Sequence, residues 1–470
     1  MLELTVRQIL ACTKGKLMNK DIAEEKITSI VTDSRQVTKG SLFICIEGEK
    51  FDGHDFCQDA FNNGAAACLV HKSIAVGNTN IIQVENTLTA YGDIASYYRS
   101  FYEEKLGKSL IVVGVTGSVG KTSTKDYIYE VLSKKFRTLK SRLNENNEIG
   151  LPRTILNLTD EEAIVVEMGM RGLNQIEYLS KIARPTHGVI TNIGSNHLEF
   201  LGTKENILKA KSEIIIGMTG DGILVVNGDD EYLRRGDFGD VQVFKVGFDE
   251  GNNLRVIDYD SSKNTYVFTD ESGKEYTVSL KQKGKHNVYN SLVAICIAKS
   301  LGIPVEDAIF SCENYTGDSI RQNIFRLKNR NVTVIDDAYN ASYESMKAAL
   351  EVLETFENRK VAVLGDMLEL GGYSDEYHYK VGKLCVEKGV DIVIACGKHS
   401  RYIVEAVMES MLDNMENKKI CYAYYTQDAN EAAQKLMLML EDGDCVLVKG
   451  SNAMKMGHVV EYLKESDVGI

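Results

Sequence analysis

The sequence is short of several things, and each shortage narrows what the chain can be. Basic residues are outnumbered: 54 Lys and Arg stand against 67 Asp and Glu, for a net charge of −13. A surface of that sign repels phosphate backbones. Broad nucleic-acid binding is therefore not expected, although a small basic site for a phosphorylated ligand still is. None of the ten cysteines forms a CxxC pair, which argues against a zinc cluster. Several lie in apolar strand-like runs, such as Cys45 in LFICI and Cys396 in IVIAC, and read as buried free thiols of a reducing compartment. No apolar run reaches the length of a membrane span, and the opening MLELTVRQIL lacks the apolar stretch of a secretion signal. A cytoplasmic protein with no membrane insertion is the expectation, and a monomer is the default. Only three prolines occur, so domain boundaries must come from hydrophobic pattern.

What is present is a long chain of ordinary globular composition. Its 470 residues exceed one core, and 44% hydrophobic with 26% charged residues suits a water-exposed fold. Residues 1–107 alternate strand-like and helix-like stretches, ending in a helix expected from about Leu88 to Glu104. From Leu110 onward come buried-type runs that end in polar or Gly residues: LIVVG, AIVVEMG, HGVITNIG and GILVVNGDD. Helical stretches separate several of them, which argues for a largely parallel sheet. Residues 254–280 read instead as a short antiparallel meander beside that sheet, followed by a helix from Asn287 to Leu301. Near Ser319 a third region opens with the strands RKVAVLGDM, VDIVIACGK and DCVLVKGSN. The fold class is therefore α/β in three domains, 1–107, 108–318 and 319–470. Ligands in such sheets gather at the carboxyl ends of strands, here Lys121, Glu167, Asn192, Asp366, Lys398 and Lys449.

The stretch GVTGSVGKTSTKD, residues 114–126, carries the clearest chemistry. Strict phosphate-loop spacing puts a glycine where Val115 stands. With Val115 read as the last strand residue, the shorter run Thr116, Gly117, Ser118, Val119, Gly120, Lys121, Thr122 and Ser123 keeps what the physics needs. Gly117 and Gly120 let N–H groups point inward, and the helix starting near Lys121 adds its positive end. Lys121 would reach the β- and γ-phosphates and Thr122 would hold Mg²⁺. The bland alternative is a structural Gly-rich turn. Glu167 ends a neighbouring strand where a magnesium-binding carboxylate belongs, or else is a solvated strand-end residue. His197, just past another strand end, is read as a metal ligand rather than a surface residue. Lys211 borders the stripe Ile207, Ala210 and Ile214. It is either a snorkelling lysine or, by reaction with CO₂, a carbamate that ligates like a carboxylate.

Ten stretches in order resemble the Mur ligase family over essentially the whole chain. They include VTDSRQVTKGSLFICIEGEKFDGHDF (31–56), TGSVGKTSTK (116–125), NENNEIGLP (144–152), EMGMRG (167–172), TNIGSNHLE (191–199), AKSEI (210–214), GKHNVYNSL (284–292), DDAYNASYESM (336–346), LGDMLELG (364–371) and VKGS (448–451). The resemblance implies an N-terminal domain for a UDP-linked substrate, a central ATPase domain, and a C-terminal Rossmann-like domain for the incoming amine. It implies ATP as co-substrate and two Mg²⁺ ions, one near Thr122 and Glu167. The other would lie near Glu167, His197 and a carbamylated Lys211. It implies activation of a carboxylate as an acyl phosphate, then attack by an amine. LGDMLELG favours the branch that joins D-alanyl-D-alanine to UDP-N-acetylmuramoyl-tripeptide, and the D-N-P-R signature of the sibling that adds the third peptide residue is missing.

The resemblance also carries over individual residues. Ser34 and Arg35 would lie near the uridine diphosphate, unless Arg35 is only a surface ion pair. Asn146 and Asn147 would contact the muramoyl-peptide, or else serve as turn or helix caps. Asn290 is expected near adenine, Arg321 at the γ-phosphate on closure, and Asp337 and Asn340 at ribose and adenine. Asp366 and His378 would shape the dipeptide pocket, with a purely structural role as the alternative. Lys121, Glu167, His197, Lys211 and Arg321 form the expected catalytic set. Two departures stand out: Ser342 and Tyr343 replace the family's frequent Asn-Pro, and Asn452 replaces the Arg that often follows KGS. A regulatory phosphate-loop ATPase is the rival from another class, but it would need neither the DSR region nor the AKSEI lysine.

Overall fold

The computed structural model describes residues 3–317, 322–412 and 420–468. Three main sheets are built from consecutive parts of the chain. In the first, strands Ser29–Val31, Ser41–Ile44, Ala67–Val70 and Ile81–Gln83 run parallel, and Lys16–Leu17 closes one edge antiparallel. A small separate ribbon pairs Leu4–Thr5 with Lys26–Ile27.

The central sheet has nine strands. Ile111–Thr116 lies inside it, flanked in parallel by Ala163–Glu167 and His187–Ile190. Thr138–Lys140 lies beyond the former, and Ile223–Asn227 and Gln242–Gly247 beyond the latter. Strands covered on both faces need near-continuous apolar residues, and Val112 through Thr116 are all buried. The meander, Leu254–Asp260, Thr265–Thr269 and Glu275–Ser279, is antiparallel within itself. It does not stand beside the sheet, as expected, but extends it, because Leu254 and Arg255 pair in parallel with Val246 and Gly247. The helix after it runs Lys285–Ser300, two residues earlier at its start than expected.

The third sheet has six strands. Thr333–Asp337, Cys445–Lys449, Lys360–Gly365, Ile392–Cys396 and Tyr422–Thr426 are parallel in that spatial order, and Asn323–Arg326 adds an antiparallel edge. The last strand returns to the middle of the sheet, so Asp337 and Lys449 end neighbouring strands. The expected boundary at 318/319, and with it Arg321, lies outside the described residues.

The cores do not divide quite as the sheets do. Helix Thr87–Leu106, capped by Asn86 and stopped by left-handed Gly107, buries Tyr91, Ile94, Ala95, Tyr98 and Tyr102. These pack in one continuous cluster that also holds Leu4 and Leu42 of the first unit and Leu151, Ile176 and Ile207 of the central one. The third unit keeps two clusters of its own, one on each face of its sheet. Among the described residues no helix is long and apolar enough to cross a membrane.

Candidate active site

The phosphate loop is held from outside as much as by its own residues. Gly117 has φ 145°, and a Cβ there would lie 1.8 Å from Thr191 Oγ1; Gly120 has φ 86°. Strand Ile111–Thr116 runs one residue past Val115, so Thr116 is buried beneath the loop and its hydroxyl lacks a partner among the described residues. The stretch TNIGSNH then braces the turn. Ser118 N–H donates to Asn192 O (3.0 Å) and Val119 N–H to Asn192 Oδ1 (2.9 Å). Thr191 Oγ1 and Asn192 Nδ2 both donate to Val119 O, at 2.6 and 2.9 Å. Helix Lys121–Leu132 begins directly after Gly120. Lys121 folds over the loop and donates to Gly117 O (2.8 Å) and Ser118 O (3.3 Å).

Glu167 ends its strand beside this loop and is 2% exposed. One oxygen accepts from Thr122 Oγ1 (2.7 Å), the other from Asn146 Nδ2 (2.9 Å). Burial pushes the carboxyl up, but the charge of Lys121, the two hydrogen bonds and the charge of Lys125 outweigh it and hold it below the usual range. Sequence reasoning missed Lys125. It is 2% exposed, donates to Ser141 O (2.9 Å), and so stands behind the site with its charge toward Glu167. Only its place on the loop's own helix, four residues after Lys121, could have signalled it.

His197 and Lys211 complete the wall. His197 has φ 65°, which turns its ring across to the third unit, where Nδ1 lies 2.6 Å from Glu369 Oε2. That contact, with Arg171 nearby, holds the Glu369 carboxyl below its ordinary range against burial. Lys211 is 2% exposed, so the snorkelling alternative fails. Its Nζ has no hydrogen bond or carboxylate partner among the described residues. Burial, and then the like charge of Lys121, drive its ammonium well below the ordinary range. That shift favours the uncharged amine, the form that can react with CO₂.

Lys121, Glu167, His197 and Lys211 line one cavity of about 970 Å³ between the central and third units. Ser118, Val119, Gly120 and Ser123 line it too, as do Asn146, Asn147, Asn290, Asp337 and Asn340. Thr122 reaches it through Glu167. Asn290 Oδ1 accepts from Thr124 Oγ1 (2.9 Å), which fixes its amide at the floor. Lys449 donates to Asp337 and to Asn340 O (2.9 Å), so one wall carries a half-buried, neutralised ion pair. Asn147 Oδ1 accepts from Ile149 N–H (3.2 Å) and Gly150 N–H (2.9 Å), which ties down the turn that leads into helix Gly150–Leu156.

Of the expected loop residues Thr116 and Gly117 do not line the cavity, and four more expected residues lie elsewhere. Arg35 is exposed and forks onto its neighbour Asp33, whose own side chain caps the turn Ser34–Gln36. Ser34 and Arg35 do not line the cavity. Asp366 and His378 do not line it either; they lie behind it. Asp366 accepts from Ser400 N–H (2.7 Å) and Oγ (2.6 Å). His378 is fully buried, donates from Nδ1 to Ser374 O (2.6 Å) and accepts Met367 N–H at Nε2 (2.9 Å). Both shape the turn that presents Leu368, Glu369 and Leu370 to the cavity.

The donor set suits a divalent cation only as a mixture. Among the described residues no three His, Cys, Asp or Glu side chains group closely enough to hold a metal. Thr122 and Glu167 offer paired oxygens, and a carbamate on the unpartnered Lys211 would supply the missing anion. The residues present therefore fit a magnesium centre.

A phosphate loop in a parallel sheet, facing a second, mostly parallel sheet across one cavity, gives the outline of a nucleotide-binding enzyme. Three family models match in order: "Mur ligase family, catalytic domain" at residues 26–99, "Mur ligase middle domain" at 115–298, and "Mur ligase, glutamate ligase domain" at 321–452. The chain belongs to the Mur ligase family. Within it, the chain is 36% identical over 99% of both chains to UDP-N-acetylmuramoyl-tripeptide--D-alanyl-D-alanine ligase of Bacillus subtilis. It is 32% identical, again over 99% of both, to the enzyme of that name from Escherichia coli. Among solved structures it matches MurF from Acinetobacter baumannii with a TM-score of 0.87, at 29% identity over 98% of this chain and 99% of that one. MurF ligase from Thermotoga maritima in complex with ADP matches at 0.81, with 31% identity over 94% and 98%.

Proposed function

We propose that the chain is an ATP-dependent amide-forming ligase that joins D-alanyl-D-alanine to UDP-N-acetylmuramoyl-tripeptide in peptidoglycan precursor synthesis, acting in the cytoplasm as a monomer. The observation that carries this reading is the single cavity in which Lys121, Glu167, His197 and Lys211 meet across two units. A terminal carboxylate oxygen of the tripeptide attacks the γ-phosphorus of ATP, the bond to ADP breaks, and an acyl phosphate forms. The dipeptide amine then attacks the acyl carbon, phosphate leaves, and the nitrogen loses its proton.

The chain's own task is to bring anions together and keep water out. Residues 116–123 cradle the phosphates, and Lys121 swings from its loop carbonyls to the β- and γ-phosphates. Asn290 takes the adenine side, and Asp337 and Asn340 take ribose and adenine from the third unit, with Arg321 at the γ-phosphate. Residues 1–107 hold the uridine diphosphate through Ser34 and Arg35, which requires Arg35 to leave Asp33. Residues 108–318 hold ATP, residues 319–470 receive the dipeptide, and Asn146 faces the muramoyl-peptide. The neutral Lys211 amine adds to CO₂ and loses a proton, giving a carbamate. Bound Mg²⁺, held by Thr122, Glu167, His197 and that carbamate, would neutralise phosphate charge.

The test is purified protein with ATP, Mg²⁺ and the nucleotide-tripeptide, with and without D-alanyl-D-alanine. Phosphate release that depends on the dipeptide is expected. Release stimulated only by a single amino acid would instead identify the sibling that adds the third residue.

A further inference from the structure

Glu344 is the first acidic residue of helix Tyr343–Glu354 in the third unit, yet it does not serve that helix. Ser342 and Ser345 already close a capping box there. The Glu344 carboxylate leaves its own unit and forks onto Ser195 of the central one. Oε1 accepts Ser195 N–H (2.9 Å) and Oε2 accepts Ser195 Oγ (2.8 Å). Lys204 of the central unit brings its Nζ to 3.5 Å. Ser195 is fully buried, and a Cβ on the preceding Gly194 would lie 2.8 Å from the carboxylate, so the fork seats against bare backbone.

The other side of the same loop faces the phosphates. Gly194 N–H donates to Ser118 Oγ (2.8 Å), and Asn192 braces Ser118 and Val119 as described above. One short connection thus runs from Glu344 through Ser195 and Gly194 to the phosphate loop. A second bridge between the units joins Glu369 to His197 (2.6 Å), to Glu199 N–H through its carbonyl (3.2 Å), and to Arg171. Arg171 is 73% exposed and 3.7 Å from the carboxylate, where solvent screens the pair. Losing Glu344 instead leaves a buried N–H and a buried hydroxyl without an acceptor.

We propose that Glu344 is a positioning residue: it latches the third unit onto the 191–197 loop and sets that unit's distance from the phosphate loop. The substrate consequences rest on the ligase reading above; the latch itself does not. Without the fork, the closed form is a smaller fraction of the free protein. Ligands that bind across the cleft must then first restore it, which weakens their apparent binding by that fraction. Saturating substrate refills the closed form, so the effect falls on KM more than on kcat. Glutamine keeps an acceptor for Ser195 N–H and can donate to Ser195 Oγ, so Glu344→Gln retains the fork.

The test combines small-angle X-ray scattering of the ligand-free full chain with steady-state kinetics. Glu344→Ala is expected to enlarge the radius of gyration and to raise KM for ATP and D-alanyl-D-alanine about 10-fold, with kcat within about 2-fold. Glu344→Gln should stay near wild type, and Ser195→Ala added to Glu344→Ala should add little further. Unaltered scattering and KM in Glu344→Ala, or a Glu344→Gln defect as large as that of alanine, would overturn the latch. Scattering needs no turnover, so an enlarged Glu344→Ala in a protein without dipeptide-dependent phosphate release would keep the latch and reject the ligase reading.

Discussion

At position 117 two demands coincide: a left-handed backbone and no room for a methyl against Thr191. Gly117→Ala should therefore abolish nucleotide binding in calorimetry while the protein stays folded by circular dichroism. Lys211 makes a different demand, because its burial is tolerable only if the amine is neutral or modified. Lys211→Ala should lose most activity, and short carboxylate ions in the assay should restore part of it; no restoration would count against the carbamate. His187 gives a pH signature. Burial pushes its imidazole down to about 4 from 6.5. Between those values the unfolded chain binds the extra proton, so stability falls as pH falls through that window. Wild type should lose about 3 kcal/mol more than His187→Gln between pH 7 and pH 4 in denaturant titrations.

Among elements, those buried on both faces were legible from sequence, because continuous apolar runs such as IVVGVT leave few alternatives. Strands Asn323–Arg326 and Tyr422–Thr426 escaped notice, as did Gln242–Gly247 and Thr333–Asp337 inside their sheets. The first alternates intermediate and exposed residues at an edge, and the second, also at an edge, is half open to solvent. The phosphate loop and Glu167 were legible because type and spacing carry their chemistry. Glu344 and Lys125 were not, since nothing local says where a carboxylate on one unit or an amine under a sheet will end. Asp366 and His378 stood out in sequence, but their polar atoms are committed to backbone turns. Ser342, a departure from the family pattern, caps its helix, and Tyr343 packs on Tyr377 with ring centroids 5.3 Å apart. Ser342→Ala should cost about 1 kcal/mol in the unfolding of the third unit, and Ser342→Asn should cost little.

For the molecule as a whole, the sharing of cores decides what can unfold alone. Helix Thr87–Leu106 joins the first and central units in one cluster, while the third unit's two clusters are its own. Calorimetry of the full chain should resolve two transitions, one for residues 1–317 and one for the remainder. A fragment beginning at residue 108 should be insoluble, because removing that helix uncovers Leu151, Ile155, Ile176 and Leu179. That sharing of cores was not foreseeable from three sheet-like regions, since which helix covers which sheet is a tertiary matter.

All the cysteines except Cys12 are buried, and they fall in every unit: 45, 57 and 68, then 296 and 312, then 385, 396, 421 and 445. The molecule therefore carries its own set of clocks. The rate at which each thiol becomes available to a dilute alkylating reagent times the opening of the unit around it, with no residue changed.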